Sequence, residues 1–394
     1  MVSSEDLAGA TAVVLLEDVH LHPRNDPERL PDRFHEGRVR FRVSGRRPGL
    51  QPGRHPGQTD GDVLARTVEV ARCAETLGLD DVWLTEHHFL DSAVNPSALT
   101  LAAYLLGRTE RIHVGTAVTL LPLHSPVHMA EQTVLLDQLS AGRFVLGVGR
   151  GVPGMEYEIM GGGLGSWRAG LAEPLDHTLV ALRGEVPTGH VAPAPASVRL
   201  TPTARTLPRP PVYVAAGSPA SIELAADRGL PLMLFFDKSA EAKAEMLAVY
   251  ARRARTSGRR EPVRGHAFAV FTQVTDSPER AGRLMRDRAR FILSLNNHPS
   301  RLVDVSLPAP PPATAEHIGA LADRILATHP VGSVDTCVER LAHHIRTSGC
   351  SRVMCQVEAA EETGEVLAHL ERLATQVFPA VRRRVGALPA TVPV

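Results

Sequence analysis

The sequence predicts an α/β fold, a single (β/α)8 TIM barrel over residues 1–394 with insertions at its C-terminal face. Three observations carry that prediction. Eight strand-length runs rich in Val, Leu, Ile and aromatic residues alternate with helical segments. The strands are continuously apolar, as parallel strands buried on both faces are. At roughly 100 to 200 residues per domain, a chain of 394 residues has room for one large α/β domain or two ordinary ones. Alternation alone also fits a doubly wound open sheet, which uses the same pattern with fewer strands.

The first run, 12–16, is followed by 23–61, a stretch with six Pro, six Gly and nine Arg that reads as an irregular insertion. A helix is expected over 62–77 and a strand over 81–85. Helix 96–108 then leads to strand 112–120. Ser125 as N-cap, Pro126 at the first helical position and Gly142 just past the end frame the next helix, and strand 144–148 follows it. Helix 167–182 and a Pro-rich connection over 186–211, with a short hairpin expected near 198–200, precede strand 212–215. Helix 219–228, strand 232–236, helix 239–256, strand 266–274 and helix 278–295 continue the alternation. A Pro-rich loop over 296–313, carrying Pro308, Pro310, Pro311 and Pro312, separates them from helix 334–347, strand 353–357 and helix 364–384. In a barrel, long loops after strands lie on the active face, which makes these loops lid candidates.

Composition narrows the partners. Lys plus Arg equals Asp plus Glu at 43 each, so no global field draws the chain to nucleic acid or anionic lipid. Small molecules are the expected ligands. A hydrophobic share of 43% excludes wholesale disorder. Lys238 and Lys243 are the only lysines, which leaves two candidates for any Schiff-base chemistry. Cys73, Cys337, Cys350 and Cys355 form no CxxC pair, and the chain opens with Ser3, Ser4, Glu5 and Asp6 rather than a basic and then apolar run; a reducing cytoplasm is expected. Apolar stretches such as 98–106 fall short of the ~20 residues that span a bilayer, so no membrane anchor is expected.

Titratable and polar residues collect just after the strands: Asp18 and His20, Glu86 with His87 and His88, His124, Arg150, Ser218, Asp237 with Lys238, Gln273, and Glu358. A barrel would place them at one mouth. Adjacent histidines leaving a strand point in opposite directions and cannot share one metal, so no metal site is expected. A general base fits one of the two, since imidazole titrates near neutrality without help; the other fits packing beneath the rim. Gly149 to Gly154 spells GxGxxG, but Pro153 and the run Gly161 to Gly163 interrupt the helix a dinucleotide fingerprint needs. Glycines there suit close approach to a ligand, and Arg150 offers a planar fork for phosphate. Ser218 as a helix N-cap adds amide groups that favour an anion.

These residues resemble the bacterial luciferase family of flavin-dependent monooxygenases, most closely its catalytic α-type subunit. The similar stretches are Gly78 to Phe89, Val114 to Val118 with Leu121-Pro122, Ala130-Glu131, Leu136 to Phe144, Gly149-Arg150-Gly151, Pro211 to Ser218, Ala225 to Pro231, and Pro330 to Ser333. They cover most of the chain from about residue 60 onward.

The resemblance implies a barrel that binds reduced FMN (FMNH2) at the C-terminal ends of its strands and oxygenates a small organic substrate with O2 through a flavin 4a-(hydro)peroxide. His87 corresponds to the residue that manages the proton, and Arg150 to the one that binds the flavin phosphate, with help from Gly217, Ser218, Ser221 and Arg168. Glu86, Ala117, Val118 and Val152 also fall at cofactor-binding positions. A non-proline cis peptide under the flavin ring would be Ala117-Val118. His88, Glu156 and Phe236 fall at the substrate pocket. Implied partners are a separate flavin reductase that supplies FMNH2 and a second copy of the chain, paired through the helices after the second and third strands. The sequence departs from the α-type pattern in the 23–61 insertion, in Gly149 for a Cys, in Gly217 for a Glu and in Phe236 for a Trp, which argue against light emission from a long-chain aldehyde. Two other readings stay open: hydride transfer with a deazaflavin coenzyme, and a non-catalytic flavin-binding partner subunit.

Overall fold

Strand and helix alternate along the chain as the apolar periodicity requires. A computed structural model describes residues 40–43, 59–90, 94–152, 154–186, 199–260, 262, 265–296, 313–350 and 352–386. The elements in order are β1 (Arg40–Val43), α1 (Asp60–Thr76), β2 (Asp81–Leu84), α2 (Ala98–Leu106), β3 (His113–Thr116), β4 (Thr119–Leu120) and α3 (Pro126–Leu139). Next come β5 (Phe144–Gly149), α4 (Met155–Met160), α5 (Gly163–Ala169), α6 (Ala172–Ala181), β6 (Val212–Ala216), α7 (Pro219–Asp227), β7 (Leu232–Leu234) and α8 (Ala240–Thr256). The remainder is β8 (Ala267–Phe271), β9 (Gln273–Val274), α9 (Pro278–Asn296), α10 (Ala315–Thr328), β10 (Val331–Gly332), α11 (Val334–Ser348), β11 (Arg352–Gln356), α12 (Thr363–Arg372) and α13 (Phe378–Gly386), the last two joined by the π-helical turn Leu373–Val377. Local chemistry sets several starts. Thr59 and Asp62 form a reciprocal capping box on α1, and Ser125 with Pro126 opens α3.

All strand pairs are parallel, and the main sheet runs β1-β11-β8-β7-β6-β5-β3-β2, with β4 added on β5. The sheet curls, because side chains from strands far apart in that path meet inside it. Arg352 on β11 donates from Nη1 to the Tyr213 hydroxyl on β6 at 2.6 Å. Trp83 on β2 meets the Tyr213 ring edge-on, with centroids 5.4 Å apart. The end strands β1 and β2 approach within 8 Å between Cα atoms. Helices cover the outer face, so β2, β5, β7, β8 and β11 are buried on both sides.

The structure revises several expectations. The strand expected at 12–16 lies outside the described residues, and β1 instead comes from within the 23–61 stretch. Its sequence Arg-Phe-Arg-Val alternates charge and apolar side chains with the period of a strand, a signal hidden by the Arg-rich surroundings. Strand 112–120 is broken at residues 117–118 into β3 and β4. Helix 167–182 is two helices divided at Gly170, which takes φ +87°. The run 266–274 divides as well: β9 leaves the main sheet to pair with β10. The helix α10 was not expected beyond the Pro-rich loop, of which 297–312 lies outside the described residues. Residues 199–200 of the expected hairpin are coil, and its remainder also lies outside. On α2, one of the helices expected to meet a second copy, Ala102, Leu105 and Leu106 belong to the core of this chain.

Candidate active site

The site grows from the end of β2. Trp83 faces the sheet's interior and fits there only because residue 115 is glycine; a Cβ at Gly115 would stand 2.6 Å from the indole. Alternation carried past the last strand residue, Leu84, would bring Thr85 and His87 to the same face. His87 is half-buried, and its amide donates to the Asn95 carbonyl at 3.0 Å. Asn95 is itself buried and donates from Nδ2 to the Thr85 carbonyl at 2.5 Å, pinning the turn.

Glu86 leaves on the opposite face and is buried. Its Oε1 accepts from the Leu120 amide at 3.1 Å and from His124 Nε2 at 3.0 Å, while Oε2 accepts from the Ala98 amide at 3.3 Å. His88 Nε2 lies 3.7 Å from Oε1, longer than a hydrogen bond. Burial by itself would raise the Glu86 pKa. The His124 hydrogen bond, the His88 ring and the Leu120 amide outweigh it and hold the carboxyl at about 2. Glu86 is therefore an ionised tie between the ends of β2, β4 and the start of α2.

The peptide between Ala117 and Val118 is cis, at the position expected. On the adjacent strand β5, glycines are required by the crowding of β3. A Cβ on Gly147 would stand 1.9 Å from the Thr116 carbonyl oxygen, and one on Gly149 would stand 2.6 Å from Val118 Cγ2. Thr116 Oγ1 also donates to the Gly147 carbonyl at 2.7 Å and accepts from its amide at 2.9 Å. The neighbouring strand thus takes up the space that these two glycines leave. Gly151, at φ +68°, turns the chain beside Leu120.

Arg150 follows β5 and is half-buried. Its guanidinium lies 3.9 Å over the Trp167 ring, and its Nη1 reaches the Trp167 carbonyl at 3.5 Å. The Tyr157 hydroxyl donates to the Arg150 carbonyl, and Trp167 Nε1 donates to the Gly151 carbonyl at 3.3 Å. Val152 and Glu156 are buried nearby in sequence, with the Glu156 carboxylate folded back on Gly154. Arg168 is exposed in the last turn of α5, next to Trp167.

The strand beside β5 ends at Gly217 and Ser218. Ser218 caps α7, and Ser221 closes a capping box with it: Ser221 Oγ accepts from the Gly217 amide at 3.3 Å and the Ser218 amide at 3.1 Å. The amides of Gly217 and Ser218, just before the helix, thus face the Ser221 hydroxyl.

Phe236 is buried against Phe271, with ring centroids 4.5 Å apart. Met233 reaches the interior, because its Cε lies 2.5 Å from the Cβ position of Gly147. Alternation gives that face to Phe235, which is half-buried. Phe235 was missed because only its neighbour aligned with the α-type pattern. His124 stood among the strand-end residues, yet its pairing with Glu86 spans 38 positions and left no local trace. Trp167, Tyr157 and Asn95 were also missed, and only tertiary contact reveals them.

Register brings two of these groups to neighbouring strand ends. Leu120, which donates to Glu86, sits opposite Gly149, and Val148 sits opposite Val214, so Arg150 lies between the Glu86 cluster and the Ser218 turn. Among the described residues no cluster of three or more His, Cys, Asp or Glu side chains could hold a metal ion, and no helix is long and apolar enough to cross a membrane.

Comparison with known proteins accords with this arrangement. The chain is 28% identical over 339 residues to the alkanal monooxygenase alpha chain of the Kryptophanaron alfredi symbiont, covering 82% of this chain and 94% of that relative. Its fold resembles the oxygenating constituent of 3,6-diketocamphane monooxygenase from Pseudomonas putida, solved in complex with FMN (TM-score 0.65, 19% identity, 84% of this chain and 96% of that one). It equally resembles an F420-dependent secondary alcohol dehydrogenase (TM-score 0.64, 16% identity, 86% and 98%). The model of the luciferase-like monooxygenases matches residues 47–352, and the chain belongs to that family.

Proposed function

We propose that this chain is a two-component monooxygenase on a closed (β/α)8 barrel, using reduced FMN delivered by a separate flavin reductase and O2 to oxygenate a small organic substrate in the cytoplasm. The observation that carries the reading is the order of strand ends: His87 three residues after β2, residues 117–118 between β3 and β4, Arg150 after β5 and Ser218 two residues after β6. The donors fit the cofactor. An arginine fork beside two serine hydroxyls suits a phosphate dianion, and the bend of small residues beside Gly149 suits a flat ring.

Reduced FMN, when bound, supplies the electrons that activate O2. The chain's own part is to position and shelter. Arg150 and Ser218 hold the phosphate end, with Ser221 released from its cap, and Arg168 stands at the rim of the same loop. Glu86 keeps the ends of β2 and β4 together, which fixes where His87 points. His87 holds or moves a proton at its ring nitrogen. His88, Glu156 and Phe236 are assigned to the substrate side, with Phe235 beside Phe236, and Val152 to the cofactor side.

The same fold serves deazaflavin-dependent hydride transfer, so the experiment separates the two. Photoreduced FMN is added to the protein without oxygen, followed by 18O2 and a panel of ketones, aldehydes and aromatic substrates. Incorporation of one labelled oxygen atom into product supports the proposal. Oxidation of a reduced deazaflavin coenzyme with no oxygen taken up would replace it. The Glu86-His87-His88 run together with Arg150 argues against a partner subunit without catalysis, which would show neither.

A further inference from the structure

We infer that Trp167 is a positioning residue for Arg150: the indole fixes the plane of the guanidinium so that its edge meets the cofactor phosphate. The inference rests on the proposed role of Arg150. The guanidinium carbon stands 3.9 Å from the centre of the indole ring, the separation of a stacked contact, which uses the face of the cation. A phosphate uses the edge, so the two interactions do not compete.

The indole is itself held. Trp167 Nε1 donates to the Gly151 carbonyl at 3.3 Å, and the Trp167 carbonyl receives Arg150 Nη1 at 3.5 Å. The Tyr157 hydroxyl takes the Arg150 carbonyl from the other side, so the main chain at 150–151 is gripped by α4 and α5 together. The loop between these helices makes the grip possible. Gly161, Gly162 and Gly163 take φ +113°, +86° and +57°, a reversal that side chains would strain and that carries α5 back over Arg150. An arginine on a loop otherwise loses rotamer freedom each time it binds. Stacking removes much of that freedom beforehand.

The test compares Trp167→Ala, Trp167→Phe and Arg150→Ala for equilibrium binding of FMN and of riboflavin, which lacks the phosphate. Trp167→Ala is expected to weaken FMN binding about tenfold and riboflavin less than twofold, and Trp167→Phe to return FMN to within about threefold of the parent. A merely structural tryptophan would move both ligands together, and that result overturns the inference. If Arg150→Ala weakens FMN but Trp167→Ala does not, the inference fails while the phosphate role of Arg150 stands. If Arg150→Ala leaves FMN unchanged, both fall. A second measurement needs no truncation at residue 167. Trp83 is fully buried in the core, so inorganic phosphate should change the emission of the parent through Trp167 and leave that of Trp167→Phe unchanged. No change in the parent overturns the inference.

Discussion

Glu86 Oε1 lies 3.0 Å from His124 Nε2 although 38 positions separate them, and the same oxygen takes the Leu120 amide. A single buried carboxylate therefore ties the end of one strand to the start of the loop after another, directly beneath the residues proposed to act.

That tie should be visible in acid. The folded Glu86 carboxyl titrates at about 2 against its usual 4.5, so the unfolded chain binds the proton first as the pH falls. Stability from this group is complete above 4.5 and is lost between 4.5 and about 2. Glu86→Gln keeps an acceptor for the Leu120 amide and loses the charge. We expect it to melt several degrees below the parent at pH 7, with the gap closing toward pH 2. Melting curves that stay parallel across that range would remove the carboxylate from the account.

Arg150→Ala should weaken FMN binding at least tenfold, from the loss of a charge-assisted contact of ~1.5 to 3 kcal/mol. Riboflavin should bind almost as before, since it offers no phosphate. Calorimetric titration with both flavins checks this, and an equal loss for the two would point to a collapsed loop instead.

Lys243 is fully buried on α8, with Nζ 3.2 Å from the Ala269 carbonyl and 4.9 Å from the centre of the Phe268 ring. Burial lowers its pKa from 10.5 to about 7. Between those values the unfolded chain holds a proton that the folded chain does not, so stability falls as the pH drops from 10.5 to 7 and levels off below. Lys243→Met removes this penalty and loses one hydrogen bond of about 1 kcal/mol. It should melt above the parent at pH 7, with the advantage shrinking toward pH 10.5. A variant less stable at pH 7 would show that the amine is better satisfied than its burial implies.

Tyr104 on α2 and Leu135 and Leu139 on α3 are exposed, Leu139 by 76%. These are the two helices expected to meet a second copy, and Leu135 and Leu139 stand one turn apart on α3. We expect a homodimer at micromolar concentration and a monomer for Leu135→Glu with Leu139→Glu. Sedimentation velocity decides it: a parent that sediments as a monomer rules this face out as a self-association surface.

Much of this was legible in the sequence where the signal is local. Period and end signals located β2, α3, β5 and α7, since Ser125-Pro126 and Ser218-Pro219 announce their own helix starts. The position of the cis bond followed from resemblance alone. What could not be read depends on distant contact or on competing signals. The strand Arg40–Val43 is masked by arginines at every other position, and Trp167 acts only because a three-glycine reversal returns it to Arg150. Phe235 and Phe236 are indistinguishable by composition; Met233 inside the sheet separates them.

His87, and not His88, should carry the proton chemistry. Trp83 fixes the interior face of β2 by fitting over Gly115, and alternation carried past the strand's end at Leu84 would bring the half-buried His87 to that face. His88 takes the other face, where it is buried beside the Glu86 carboxylate at 3.7 Å. His87→Ala should therefore still bind reduced FMN, because Arg150 and Ser218 are the residues proposed to hold the far end of the cofactor. Product formation should fall by roughly 100-fold to 10,000-fold, the range for loss of an acid-base group, while hydrogen peroxide released without product rises. His88→Asn removes a packed ring and should cost about 1 kcal/mol of stability, with turnover per folded molecule little changed. The two variants are compared for product, peroxide and thermal midpoint under one set of conditions. Equal losses of turnover in two fully folded proteins would mean that both rings serve the reaction, and the division drawn from the two faces of β2 would have to be given up.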